Sequence, residues 1–539
     1  ISSLIDPVVQ EYIYHKGMYL REPEFKPILR AKAIAFENAS GRDHAVLDEL
    51  GNTVLYGHPD AQAIFTRIQV ENDSLLILRN TVEGERPVGF ASYREIGNDE
   101  LYGVLKDMEL ANLVRGKSSR EILLITGIYA REENTGDSEM IRDAAQQLLV
   151  EVVAKELEKN YSFALFVAER GTAAKHVVYA LERQGFVRPH LADENDKRTI
   201  YLVDMHEPLM FLHNLETTIK EPFASNPAVL RAIEKNHKKL QIAMTKLYPG
   251  NLVLSLSSGV MHHRLVDRIT SLNDVPREPL VPRRLGKNMC VPFGKILRGK
   301  VVPNTVTKTL HTDKVYEPDL ESYTIEPFPY YSPLNSQIET IRSFDRPVIL
   351  VDDLVHKADR LRVLVPKLRE TGIPIKKVVV GVLSGYGRDL MQQLKVPVES
   401  IYSMPNVRQW FVESTLYPFI GGDTVRREEM KVAGLQPSIN MILPYATPRL
   451  SGCSREALVE FSACCIENSR DLFQVLEAEY RKMYAKNLTL SRLSEAVILP
   501  LCPDKGSCME YDENLAASVY LENDLEMLQR MRKFMVTIQ

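Results

Sequence analysis

PVILVDDLVHKADRLRVLVPKLRETGIPIKKVVVGVL, residues 347–383, is the stretch on which the fold turns. Residues 347–354 make a continuous apolar run that ends in an acidic pair, the pattern of a parallel strand covered on both faces. Residues 361–369 then bring apolar side chains round at helical spacing, and Pro366 predicts a kink or a short helix. A second buried run follows at 378–383. This order predicts a βαβ unit with parallel strands and a right-handed crossover.

Asp352 and Asp353 fall at the carboxyl end of the first of those strands. A carboxylate is costly to bury without a partner. In open α/β sheets ligands collect beyond the carboxyl ends of the strands, where the next helix offers unbonded N–H groups to an anion. The pair therefore reads as a ligand site, since one Asp would suffice to cap the following helix. Two other stretches bear on it. Residues 303–314, PNTVTKTLHTDK, are rich in hydroxyls and carry Lys308 and Lys314, which suits either a loop closing over a pyrophosphate or an exposed connection. In YPFIGGDT, residues 417–424, Gly421 and Gly422 permit close backbone approach and Asp423 can reach a base, a metal or a hydroxyl; a plain turn is the competing reading.

The segment VILVDDLVHKADR resembles the type I phosphoribosyltransferase family. The resemblance implies that Asp352 and Asp353 hold the ribose hydroxyls of phosphoribosyl pyrophosphate, with Mg2+ nearby, and that His356 takes the acid/base position. It makes residues 357–360 the phosphate loop. Where the family reads Thr-Gly-x-Thr, this chain has Lys357, Ala358, Asp359 and Arg360. Lys357 and Arg360 then supply charge-assisted contacts, and Asp359 must point away from a phosphate. The implied reaction is displacement at an anomeric carbon with pyrophosphate leaving.

Upstream, strand-like runs occur at 74–78, 87–94, 122–129, 163–168 and 198–203. A helix between the third and fourth is capped by Asp137 or Ser138, and a second, 173–184, ends at Gly185. ILLITGIYA (122–130), FALFVA (163–168), PVGFASYR (87–94) and ALERQGF (180–186) resemble the GNAT acetyltransferase family. Its pyrophosphate loop corresponds to REENTGDSE (131–139), where Glu132, Glu133, Asp137 and Glu139 oppose anion binding. Its tyrosine falls on Leu181, with Tyr179 close by. A retained fold that has lost acetyl-CoA binding is the expectation.

The expected architecture is therefore α/β multidomain. It comprises a GNAT-like mixed domain (1–205), a helical connector (206–250), a Rossmann-like parallel-sheet phosphoribosyltransferase-like domain (251–440) and a helical C-terminal domain (441–539). The domain order resembles large bacterial proteins called cytidyltransferase-related. With 67 basic and 71 acidic residues, the chain has no basic excess to predict a specific nucleic-acid partner. The basic run RAIEKNHKKLQIAMTKL (231–247) reads as a solvated helix face. The 6 cysteines are too scattered for a disulfide framework or a cysteine zinc site. No apolar run is long enough to span a membrane, and no secretory signal opens the chain, so a cytoplasmic address is expected. The start at Ile1 raises a missing N-terminal domain, and a homo-oligomer is open. Three functions follow: a nucleotide-metabolism protein binding phosphoribosyl pyrophosphate or a nucleotide, an acyl-CoA-dependent N-acyltransferase, or a non-catalytic ligand-sensing scaffold.

Overall fold

The computed structural model describes residues 9, 34–81, 84–118, 120–130, 143–169, 174–189, 198–280, 284–294, 296–297, 300–328, 331–427, 432, 435–505 and 510–537. The loop 131–139, with Asp137 and Ser138, and Cys508 lie outside them.

The first sheet opens with β1 (Ile34–Ser40), β2 (Ser74–Asn80), β3 (Arg86–Ile96) and β4 (Ile122–Ala130), paired antiparallel in sequence order. Helix α1 (Ala144–Glu156) then crosses to β5 (Phe163–Glu169), which runs parallel to β4. That pairing covers only Leu123–Ile125 against Ala164–Phe166, although β4 continues to Ala130, so the two strands part. Leu148, Leu149, Val152 and Val153 of α1 fill the core against this sheet, as their helical spacing predicts. Helix α2 (Lys175–Arg183) follows, with Gly185 beyond it at φ +87°. β6 (Arg198–His213) returns antiparallel to β5. Antiparallel strands followed by one parallel pair give the mixed, GNAT-like sheet order expected of this region.

β6 is longer than its predicted apolar run, and the difference changes the organisation. From Leu209 onward it pairs in parallel with both β7 (Asn251–Ser257) and β15 (Gln409–Val412). Between β6 and β7 lies helix α3 (Pro227–Thr245), and α4 (Ser258–Leu272) follows β7. The divisions at 205/206 and 250/251 thus fall inside one sheet rather than between units.

The βαβ unit read from residues 347–383 is present. β12 (Val348–Val355), α6 (Asp359–Glu370) and β13 (Ile375–Ser384) form it, and its strands are parallel. Pro366 is accommodated inside α6. These strands belong to a parallel sheet in the order β14-β13-β12-β8-β9, with β8 (Met289–Pro292), β9 (Val306–Thr307) and β14 (Val398–Met404). Numbered within the sheet this is order 2-1-3-4-5, a doubly wound arrangement whose switch point falls between β8 and β12. Helices α5 (Leu334–Arg342) and α7 (Gly385–Gln393) complete it.

Residues 303–314 do not form a free loop. They are largely buried and contain β9 and the start of β10 (Thr312–Tyr316). Thr307 Oγ1 accepts from the Val302 amide at 3.1 Å, and Thr312 Oγ1 donates to the Phe293 carbonyl at 2.8 Å, so these hydroxyls hold backbone. β10 leads into a third sheet, β11-β10-β16-β17-β18, with β11 (Tyr323–Pro327), β16 (Asp423–Val425), β17 (Gln436–Ile439) and β18 (Leu501–Pro503). The C-terminal region is helical apart from β18, through α8 (Arg455–Tyr484) and α9 (Ala517–Thr537). α8 packs on α3, where Asn236 Nδ2 donates to the Asn468 carbonyl at 2.8 Å and Asn468 Nδ2 to that of Asn236 at 3.0 Å. Among the described residues, no helix is long and apolar enough to cross a membrane.

Candidate functional site

Asp352 lies on β12 at the switch point of the parallel sheet. Its carboxylate packs against Gly294, just past the end of β8. A Cβ on Gly294 would stand 1.7 Å from Asp352 Oδ1, so only a glycine leaves room there. Asp352 is 3% exposed and Asp353 is half-buried. Burial, and then the charge of Asp353, push the Asp352 carboxyl well above the usual carboxylate range. Arg360 Nη1 stands 3.8 Å from Asp352 Oδ2 and offsets part of that charge.

The rest of the predicted loop is built by what surrounds it. His356 Nδ1 meets Ser384 Oγ at 2.8 Å, and the same hydroxyl caps α7 by accepting from the Gly387 amide at 3.0 Å. Burial and the neighbouring Lys357 lower the His356 pKa, which keeps the ring neutral. Asp359 is held by an ion pair. Lys314 Nζ donates to Asp359 Oδ2 at 3.0 Å while lying 3.7 Å from the Tyr323 ring centroid. Lys314 thereby neutralises Asp359 instead of reaching out over the sheet. Lys308 follows β9 at the same carboxyl edge, its amide donating to the Cys290 carbonyl at 3.0 Å.

Lys357 and Asp423, remote in sequence, face one cleft of about 400 Å³. Trp410 from β15, Tyr316 from β10 and the exposed Arg449 share its walls. The cleft joins two cations, a carboxylate and two aromatic rings, the groups that hold phosphate, hydroxyl and base respectively. Asp352, Asp353 and His356 stand at the same sheet edge but outside these walls.

Gly421 and Gly422 approach the chain itself closely. Both are buried, a Cβ on Gly421 would lie 2.2 Å from the Ser414 carbonyl oxygen, and Gly422 adopts φ +140° against Ser438. Their close approach is to the chain's own backbone, fixed by Asn440 Nδ2 donating to the Gly421 carbonyl at 3.0 Å.

A second constellation was not legible in the sequence. His213, His237 and Glu413 converge where β6, β7 and β15 end side by side, beside a separate cavity of about 160 Å³. His237 Nε2 lies 2.7 Å and His213 Nδ1 3.5 Å from Glu413 Oε2. Glu413 is fully buried; desolvation opposes its charge, yet the two imidazoles hold its pKa at about 2. Spaced over 200 residues, these side chains form no motif: the parallel pairing of β15 with β6 brings Glu413 beside His213, and α3 carries His237 to them. In the first sheet, Leu181 is buried and Tyr179 is 58% exposed, with the Arg183 guanidinium 5.7 Å over its ring.

No family model and no curated protein matches the chain. Solved structures similar to it include acetyltransferases. One is a GNAT-family acetyltransferase from Bacillus cereus, at 12% identity over 32% of this chain and 98% of that one, with TM-score 0.20. Another, from Listeria monocytogenes, gives 13% identity over 33% and 98%, with TM-score 0.22. The catalytic domain of a Tetrahymena histone acetyltransferase in complex with coenzyme A gives 11% over 33% and 96%, with TM-score 0.22. At such scores the GNAT-like character of the first region rests on its own strand order.

Proposed function

We propose that the chain binds a phosphorylated ribose compound, phosphoribosyl pyrophosphate or a nucleotide, at the carboxyl edge of the parallel sheet. The observation that carries this is the cleft shared by Lys357, Arg449, Asp423, Tyr316 and Trp410 at the same sheet edge as the buried Asp352 and half-buried Asp353 of the topological switch point. Lys357 and Arg449 would meet the phosphates, and Trp410 and Tyr316 would stack on a base. Asp352 and Asp353 would bind ribose hydroxyls or hold Mg2+, which when bound would neutralise pyrophosphate charge. His356, oriented by Ser384 and lowered in pKa by burial and Lys357, would accept a proton. Phosphoribosyl transfer is the finer form of this reading.

Trp410 is the chain's 1 tryptophan, so its emission reports the cleft directly. Phosphoribosyl pyrophosphate or a nucleoside monophosphate, with Mg2+, is expected to change that emission saturably. Lys357→Ala should weaken binding about 10–100-fold, as loss of a charge-assisted contact does. Emission indifferent to both ligands would defeat the reading.

A second reading, acyl-CoA-dependent N-acyl transfer, is favoured by one observation, the parting of β4 and β5 after Ile125 and Phe166. Against it, Leu181 stands buried at the position the family gives to tyrosine. Acetyl-CoA binding in calorimetry would support it. Absence of binding by either ligand class would leave a scaffold.

A further inference from the structure

The first sheet ends in a set of donors that the ribose-phosphate reading does not use. β6 closes on His213, β15 leads into Glu413, and His237 comes across from α3. The ligand atoms of all three lie within 4.8 Å of one another. Tetrahedral donors about 2.0–2.1 Å from a zinc ion stand roughly 3.3–3.4 Å apart. The 3.5 Å from His213 Nδ1 to Glu413 Oε2 already has that spacing, and the 2.7 Å from His237 Nε2 needs to open by roughly half an ångström.

Each of these side chains is held from behind. Asn214 Oδ1 accepts from the Ser414 amide at 3.0 Å and its Nδ2 donates to Ser414 Oγ at 3.0 Å, which locks the residues after His213 and Glu413 together. Tyr417 OH donates to Glu413 Oε1 at 3.0 Å and leaves Oε2 facing the imidazoles. The reciprocal Asn236–Asn468 bonds fix the helix turn that carries His237. On the far side of His213, Nε2 lies 2.8 Å from Ser255 Oγ and 3.0 Å from Gln241 Nε2. Gln241 Oε1 is buried without a hydrogen-bond partner. Turning that amide over lets Oε1 accept the His213 Nε2–H, passes the unpartnered position to Gln241 Nε2, and leaves the Nδ1 lone pair aimed at Glu413, the arrangement in which a ligating histidine is oriented by its other nitrogen. His213 Nδ1 and Glu413 Oε2 are buried, and their polar contacts are to members of this three-residue cluster, where His213 is 8% and Glu413 0% exposed.

We infer that His213, His237 and Glu413 form a site for one divalent transition-metal ion of the zinc type, bound through His213 Nδ1, His237 Nε2 and Glu413 Oε2. Two imidazoles and a carboxylate are a donor set that such ions take. Both histidines line the cavity of about 160 Å³ that also holds Arg183, Gln146 and Ser257, so the remaining coordination position opens to a small ligand. Glu216, whose Oε1 is 3.8 Å from His237 Nε2, offers a second oxygen donor for that same position when no small ligand takes it.

The test uses the full chain stripped with a chelator and titrated with Zn2+ or Co2+. Wild type should take up one equivalent, with the visible absorption of tetrahedral cobalt. Glu413→Gln should weaken binding by more than the roughly 10–100-fold that loss of an outer-shell partner costs. His237→Cys should keep cobalt and gain a thiolate-to-cobalt charge-transfer band, a signature that a purely structural role would not produce. A folded wild type that takes up no equivalent, or a Glu413→Gln protein that binds as wild type does, overturns the site and leaves a buried ion pair.

Discussion

Single positions carry the first two predictions. Gly294 gives up its Cβ to the Asp352 carboxylate, so Gly294→Ala forces the two apart. Overpacking of this kind costs about 1–3 kcal/mol, and urea unfolding should show a loss of that order together with loss of ribose-phosphate binding. His356 titrates below the ordinary histidine range because it is half-buried beside Lys357. The unfolded chain, with a histidine pKa of about 6.5, therefore takes the proton first. The stability that His356 contributes is full above that pH and is lost as the pH falls from there through the folded pKa. His356→Gln should flatten this part of the acid limb, read as the urea midpoint against pH; an unchanged slope would show that another group sets it.

At the scale of elements, the turn from β12 into α6 is where strain is stored. Ala358 is the N-cap of α6 at φ +51°, with no side-chain cap hydrogen bond. Left-handed alanine costs about 1–2 kcal/mol, and glycine returns roughly 0.4–1 kcal/mol of that through the unfolded chain. Ala358→Gly should thus stabilise by about 0.5–1 kcal/mol in equilibrium unfolding. β12, α6 and β13 were legible because a strand buried on both faces and an amphipathic helix leave unmistakable periods. So were β2 to β5, by their apolar runs. Short or polar strands were not: β9 has 2 residues and β16 has 3, too few for any period to register. In residues 303–314 the threonines read as exposed hydroxyls because nothing local shows that Val302 and Phe293 will use them. Asp352 and Asp353 stood out in the sequence by burial cost, by their place at a strand's carboxyl end and by a family resemblance, whereas Trp410 and Arg449 reach the cleft only through sheet pairing and chain return.

For the whole molecule, the second half of the chain completes the first. β7 and β15 pair with the end of β6, and one apolar cluster runs from Leu209 and Phe211 to Leu525 and Leu528. A fragment ending at residue 250 would leave the β6 edge and that cluster open. It should be insoluble or molten, while the full chain unfolds without an early transition of its first sheet; a folded, monomeric fragment would show the sheet to be self-sufficient. Asn468→Ala, which removes the Nδ2 donor to the Asn236 carbonyl between α3 and α8 while the Asn236 Nδ2 bond to the 468 carbonyl survives, should cost about 0.5–1.5 kcal/mol by the same measurement. The central claim is the ribose-phosphate site at the sheet's carboxyl edge, and calorimetric titration of phosphoribosyl pyrophosphate, with and without Mg2+, into wild type and Asp352→Asn/Asp353→Asn tests it most directly. The account predicts Mg2+-dependent binding to wild type that the folded double variant loses; a folded wild type that does not bind, or a double variant that binds equally well, would contradict it.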